Sequence, residues 1–174
     1  MLGFSVMTGM HQWAREISRR LKKDSPGKLI VLGGPHPTFK PDIIHDEGID
    51  VICRGEADDA LVELADAVEK RNPPDRIANF WVKKPGGEII KNDPRPLVEE
   101  LDRLPFPDRS LYHRYPDVNS STTQIFMASR GCPFDCTFCF NHQLKDLYRQ
   151  KGRFVRYRSV QSLLAEIKEV MAAT

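Results

Sequence analysis

Three cysteines stand in the run Arg130-Gly131-Cys132-Pro133-Phe134-Asp135-Cys136-Thr137-Phe138-Cys139, a C-x3-C-x2-C spacing. Thiolates are soft ligands that suit iron–sulfur clusters and zinc. An iron–sulfur cube has four irons to ligate, so three protein thiolates leave one iron open for chemistry. Zinc prefers a closed set of four ligands. His142 would complete such a set with Cys132, Cys136 and Cys139, but the spacing departs from the usual paired knuckles. The fourth cysteine, Cys53, lies far upstream at the end of an apolar run. A disulfide framework is therefore disfavoured and a metal site favoured.

Elements must position that loop. The first seventy or so residues alternate strand and helix patterns. Apolar runs at Leu2 to Met7, Leu29 to Leu32 and Asp50 to Cys53 read as three strands. Met10, Trp13, Ile17 and Leu21 mark one amphipathic helix; Leu61, Leu64, Ala65 and Val68 mark another. A short helix is expected from Pro41 to His45. Strands followed by covering helices imply a doubly wound parallel sheet. Three strands make such a sheet small, so an opening strand–helix unit or two is expected upstream of Met1.

Ile77 to Val82 and Glu88 to Lys91 flank Lys84-Pro85-Gly86-Gly87 and read as a hairpin. Pro94, Pro96, Pro105, Pro107 and Pro116 then make residues 93 to 121 a connector. Gln124 to Ala128 reads as a strand running into the cysteine loop. Ser159 is placed to cap a last helix carrying Val160, Leu163, Leu164, Ile167, Val170 and Met171. The expected division is 1–75, 76–121 and 122–174.

The 174 residues carry a net charge of +2, which implies no strong pull toward nucleic acid. No apolar run approaches the ~20 residues of a membrane-spanning helix. The N-terminus lacks a secretory pattern, so the expected location is cytoplasmic, where thiols stay reduced. Three glycine-bearing loops follow the strands: Thr8-Gly9-Met10-His11, Gly33-Gly34-Pro35-His36 and Arg54-Gly55-Glu56. Ligands of open parallel sheets bind beyond those strand ends. Arg149, Arg153, Arg156 and Arg158 read as a solvated loop.

The cysteine run, with Phe138 before its last thiol, resembles the signature of radical S-adenosylmethionine (radical SAM) enzymes. The resemblance implies a [4Fe–4S] cluster on Cys132, Cys136 and Cys139. S-adenosylmethionine would chelate the open iron and be cleaved to a 5′-deoxyadenosyl radical, with the Phe138 backbone against the adenine. The same family implies that the loop follows the first strand of a partial α/β barrel. Gly86-Gly87-Glu88 copies the family's element for the amino group of S-adenosylmethionine, but it precedes the cysteines and reads as a turn. The N-terminal half resembles the cobalamin-binding domain that precedes many radical SAM barrels. Ser5-Val6-Met7 stands for its Ser-x-Leu element, with Met for Leu, and Gly33-Gly34 for its Gly-Gly. Ser5, Met7, Gly33 and Gly34 are thereby implied to line the pocket for the nucleotide tail of cobalamin.

The chain is thus expected to be a piece of a cobalamin-dependent radical SAM enzyme that methylates carbon, inactive alone. It implies a small-molecule substrate and an electron donor such as flavodoxin or ferredoxin. Alternatives are an anaerobic ring-forming enzyme of the porphyrin ester cyclase kind, or a non-catalytic module stabilised by zinc.

Overall fold

A computed structural model describes residues 1–112, 115 and 123–173. Pro116, the last part of the connector and the first residue of the segment starting at 122 lie outside the described residues. Contacts divide the chain into two units: Met1–Pro96 with His142–Lys151, and Leu97–Asn141 with Gly152–Thr174.

The first unit is built on a five-stranded sheet in the order β1-β2-β3-β4-β5. The strands are β1 (Leu2–Ser5), β2 (Ile30–Gly33), β3 (Val51–Cys53), β4 (Phe80–Lys83) and β5 (Ile89–Lys91). β1, β2 and β3 run parallel; β4 joins β3 antiparallel, with Cys53 opposite Phe80, and β5 joins β4. The hairpin foreseen in the sequence therefore extends the sheet, which is mixed rather than wholly parallel. The copied Gly86-Gly87-Glu88 is its turn, closed by Gly87 N donating to Lys84 O at 3.0 Å.

β3 is buried along its length and β2 at all but its last residue, Gly33. Their apolar runs are continuous because both faces are covered. Successive side chains alternate between faces. Ile30, Leu32 and Ile52 therefore join Val6, Ala14 and Ile44 in one core. Val31, Val51 and Cys53 join Ala60, Leu64 and Phe80 in the other. Helix α1 (His11–Asp24) contributes Ala14 to the first core, and α3 (Asp58–Glu69) contributes Ala60 and Leu64 to the second. A short α2 (Pro35–Phe39), begun by proline at its first turn, was not foreseen; the expected turn at Pro41–His45 is a 3-10 helix.

The stripes read from large side chains are displaced. Trp13 is 53% exposed, while Ala14 and Ser18 are buried. Small residues face inward because the backbone comes close: a Cβ on Gly48 would lie 2.6 Å from Arg19 N and 2.8 Å from Ser18 C. Leu61 and Val68 are likewise exposed beside buried Ala60 and Leu64. Asp46 fastens the same region, accepting from Arg15 Nε at 2.6 Å and Arg19 NH2 at 2.7 Å. Burial alone would raise its pKa, but hydrogen bonds from Arg15, Gly48 and Arg19 hold it below the usual carboxylate value.

In the second unit Gln124 to Ala128 is not a strand. Pairing begins at β6 (Ser129–Arg130), antiparallel to β7 (Arg156–Tyr157). A strand needs a hydrogen-bonded neighbour, and Ile125 and Met127 stand exposed. The helix α4 (Asn141–Leu147) follows the cysteine loop, and α5 (Val160–Ala173) ends the described chain. Ser159 caps α5 as expected, accepting from Ser162 N at 3.0 Å. In the basic run Arg156 is buried and Arg158 half-buried, rather than solvated. Arg156 donates to Val98 O at 2.8 Å, and Arg158 pairs with Glu166, which is 2% exposed and also bound by Arg109 at 2.8 Å.

Candidate cofactor sites

The carboxyl ends of β1 and β2 meet at one place. Ser5 lies opposite Gly33 in the ladder, and Val6 N donates to Gly33 O at 2.8 Å. The next turn folds back: His36 N donates to Val6 O at 2.9 Å. Gly34 makes this possible. Its φ of 94° and ψ of −171° belong to a region essentially restricted to glycine. A Cβ there would lie 2.9 Å from Val6 N and 3.2 Å from Ser5 Oγ. The backbone of one loop thus rests directly on the other, with Ser5 and Met7 exposed and Gly33 and Gly34 half-buried.

Beside them lies a cleft of about 770 Å³ lined by Thr8, His11, His36, Lys40 and the Arg15–Asp46–Arg19 group. His11 and His36 stack with centroids 4.4 Å apart. His36 Nδ1 is 3.3 Å from Thr8 Oγ1. Burial, then His11 and Lys40, push the His36 pKa below 6.5. The His36 ring thus favours its neutral form.

The third loop is committed elsewhere. Arg54 Nε donates to Thr38 O at 3.2 Å and Gly55 N to Thr38 Oγ1 at 3.0 Å. The Arg54 guanidinium lies 5.0 Å from the Trp81 ring centre. Glu56 N donates to the hydroxyl of Tyr148 at 2.6 Å. No periodicity singled out Tyr148; only its aromatic body beside the basic run offered a signal.

The cysteine loop leaves β6 at Gly131, whose missing side chain lets the Phe154 carbonyl approach. Cys139 N donates to Cys136 O at 3.0 Å. That bond closes a turn and brings these two Cα atoms within about 7 Å. Cys132 and Cys139 are half-buried and Cys136 is exposed; all are free thiols. Phe138 is 92% exposed. Cys53, by contrast, is 1% exposed and its thiol is pushed up to about 12, chiefly by burial. Among the described residues no three His, Cys, Asp or Glu gather around a point that would hold one metal ion. A cube spreads its ligands over separate irons, wider than a single ion requires. Three soft, free donors on eight consecutive residues fit that chemistry.

A family model described as the B12 binding domain matches residues 1–65. That match runs from β1 into α3 and takes in the Ser5–Gly34 contact and the histidine stack. An uncharacterized methyltransferase of Pyrococcus horikoshii is 30% identical over 170 residues, covering 95% of this chain and 35% of that protein. The anaerobic magnesium-protoporphyrin IX monomethyl ester cyclase of Synechocystis is 28% identical over 162 residues, covering 91% and 30%. The chain therefore spans about a third of the curated relatives it matches. Among solved structures, the cobalamin-dependent S-adenosylmethionine radical enzyme OxsB, with aqua-cobalamin and S-adenosylmethionine bound, superposes with a TM-score of 0.75 at 23% identity, covering 99% of this chain and 23% of that one. The radical S-adenosylmethionine methyltransferase TsrM of Kitasatospora setae gives 0.68 at 17%, covering 98% and 34%. These likenesses establish the fold, a mixed α/β sheet with covering helices. The loops at the ends of β1 and β2 fit a cobalamin tail: a tight glycine crossing, with an exposed hydroxyl at Ser5 and an exposed thioether at Met7. No described helix is long and apolar enough to cross a membrane.

Proposed function

We propose that the chain supplies the cobalamin cradle and the cluster loop of a radical SAM enzyme that methylates carbon. In this reading residues 1–75 hold cobalamin on a sheet that the β4–β5 hairpin extends, and the cysteine loop begins the radical SAM part. Ser5, Met7, Gly33 and Gly34 hold the nucleotide tail, and Cys132, Cys136 and Cys139 hold a [4Fe–4S] cluster. When bound, the cluster with S-adenosylmethionine supplies a radical that abstracts hydrogen, and methylcobalamin supplies the methyl group. The thiolates fix the cluster by three corners and leave the fourth open. The Phe138 backbone lies against the adenine, and the exposed Phe134, Phe138 and Phe140 offer apolar surface beside the thiols. Partners are a small-molecule substrate and a one-electron donor such as flavodoxin or ferredoxin, in the cytoplasm.

The observation that carries the reading is the conjunction of a B12 binding domain with three free thiols at C-x3-C-x2-C. The cyclase relatives support a second reading, radical ring formation by the same cofactors.

Anaerobic reconstitution with iron and sulfide tests the cluster. The expected product is brown, with a shoulder near ~400 nm and about four irons per chain. Stoichiometric zinc without that chromophore refutes it and favours a zinc-stabilised module. Methylcobalamin retention through size exclusion in the dark, lost in Gly34→Trp, tests the cradle.

A further inference from the structure

The ring of Tyr148 is 3% exposed. It sits nine residues beyond Cys139, yet it belongs to the unit built on the first sheet. Its hydroxyl accepts from Glu56 N at 2.6 Å. Gly55 has φ of 80°, and a Cβ there would overlap the Tyr148 hydroxyl and ring. The loop after β3 is therefore shaped around this one side chain. The same loop is tied through Thr38 to α2, the short helix that Gly34 opens. Thr38 Oγ1 in turn donates to Gly34 O at 2.8 Å. Nearby, Lys151 Nζ donates to Pro94 O at 2.5 Å, holding the far end of the same segment. A continuous series of short contacts thus runs from Gly34 through Thr38 and the Gly55–Glu56 backbone to Tyr148.

We propose that Tyr148 is a positioning residue that couples the segment 142–151 to the cobalamin cradle within the first unit. Occupancy of the cobalamin cradle at Gly34 stiffens α2 and the β3 loop. The Tyr148 clasp passes this on to residues 142–151. This rests on the cobalamin reading of the cradle.

Hydrogen exchange of the intact chain, with and without methylcobalamin in the dark, tests it, with equilibrium dialysis reading binding separately. In the parent protein methylcobalamin slows exchange across 142–151 as well as 54–57. In Tyr148→Phe, which keeps the ring and loses one hydrogen bond, basal exchange across 142–151 rises roughly fivefold. The cobalamin-linked slowing then stays confined to 34–57. Gly55→Ala, attacking the same contact from the other side, gives the same pattern. Retained cobalamin with no slowing across 142–151 overturns the coupling alone. Unaltered exchange in Tyr148→Phe overturns the clasp. Absence of cobalamin binding by dialysis refutes the cradle reading and the coupling with it.

Discussion

Gly34→Ala tests most directly how the first candidate site is built. Alanine at φ 94°, ψ −171° enters a region essentially confined to glycine, at a cost of about 1–3 kcal/mol. Its Cβ would also sit 2.9 Å from Val6 N and 3.1 Å from Val6 O. Both are backbone atoms, held by the Val6–Gly33 and His36–Val6 hydrogen bonds, so they cannot rotate away as a side chain would. Overpacking of this kind adds about 1 kcal/mol or more. The sum, about 2–4 kcal/mol, is a large share of the ~5–15 kcal/mol that holds a domain together. It corresponds to a fall in Tm of roughly 5–15 °C for a chain of this size. Thermal and urea unfolding followed by circular dichroism measure it. Gly9→Ala is the matched control: a Cβ there meets nothing within 4 Å and its φ is not in the left-handed region, so it should change stability by less than about 0.5 kcal/mol. If Gly34→Ala unfolds no earlier than Gly9→Ala, the two loops are not in contact as described. The account of the cradle would then be wrong.

Three further outcomes follow from the same geometry. His36, with its pKa lowered by burial, His11 and Lys40, contributes stability that is fully present above pH 6.5. That contribution is lost as the pH falls through the lower folded value, so Tm should drop on acidification below 6.5 and His36→Gln should flatten that drop. Thiol titration of the native apo chain at pH 8 should count three fast cysteines, with Cys53 reacting only on unfolding because burial keeps it protonated; a fourth fast thiol refutes the packing of β3. Glu166→Gln removes the buried charge shared by Arg109 and Arg158 and should lower stability by about 3 kcal/mol; a loss under 1 kcal/mol in urea unfolding contradicts the arrangement.

The parts of this fold that sequence revealed are those governed by short-range rules. β2 and β3 were legible because a strand buried on both faces must be apolar at every position, as Ile30-Val31-Leu32 and Val51-Ile52-Cys53 are. The Ser159 cap was legible because its partner is three residues away. The inward face of α1 was misplaced toward Trp13, because only the proximity of Gly48 to α1 reveals that small residues must face inward there; on α3 the stripe was right at Leu64 and displaced at Leu61 and Val68. The strand at 124–128 failed for a related reason: alternation of apolar residues does not supply a neighbour to pair with. Gly33-Gly34 and the three cysteines stood out through chemistry and spacing, whereas Tyr148 did not. Its importance lies in Gly55 and Glu56, which are 92 residues away along the chain from Glu56 to Tyr148.

That long separation bears on how the protein is made. β5 completes the sheet at Lys91, but Tyr148 is synthesised roughly sixty residues later, an interval on the order of several seconds at ribosomal speed. During that interval a nascent chain carries an assembled sheet whose Glu56 amide still faces water. A protease acting then, or a pause in translation there, would meet the Arg54–Glu56 turn in an open state that the finished polypeptide conceals.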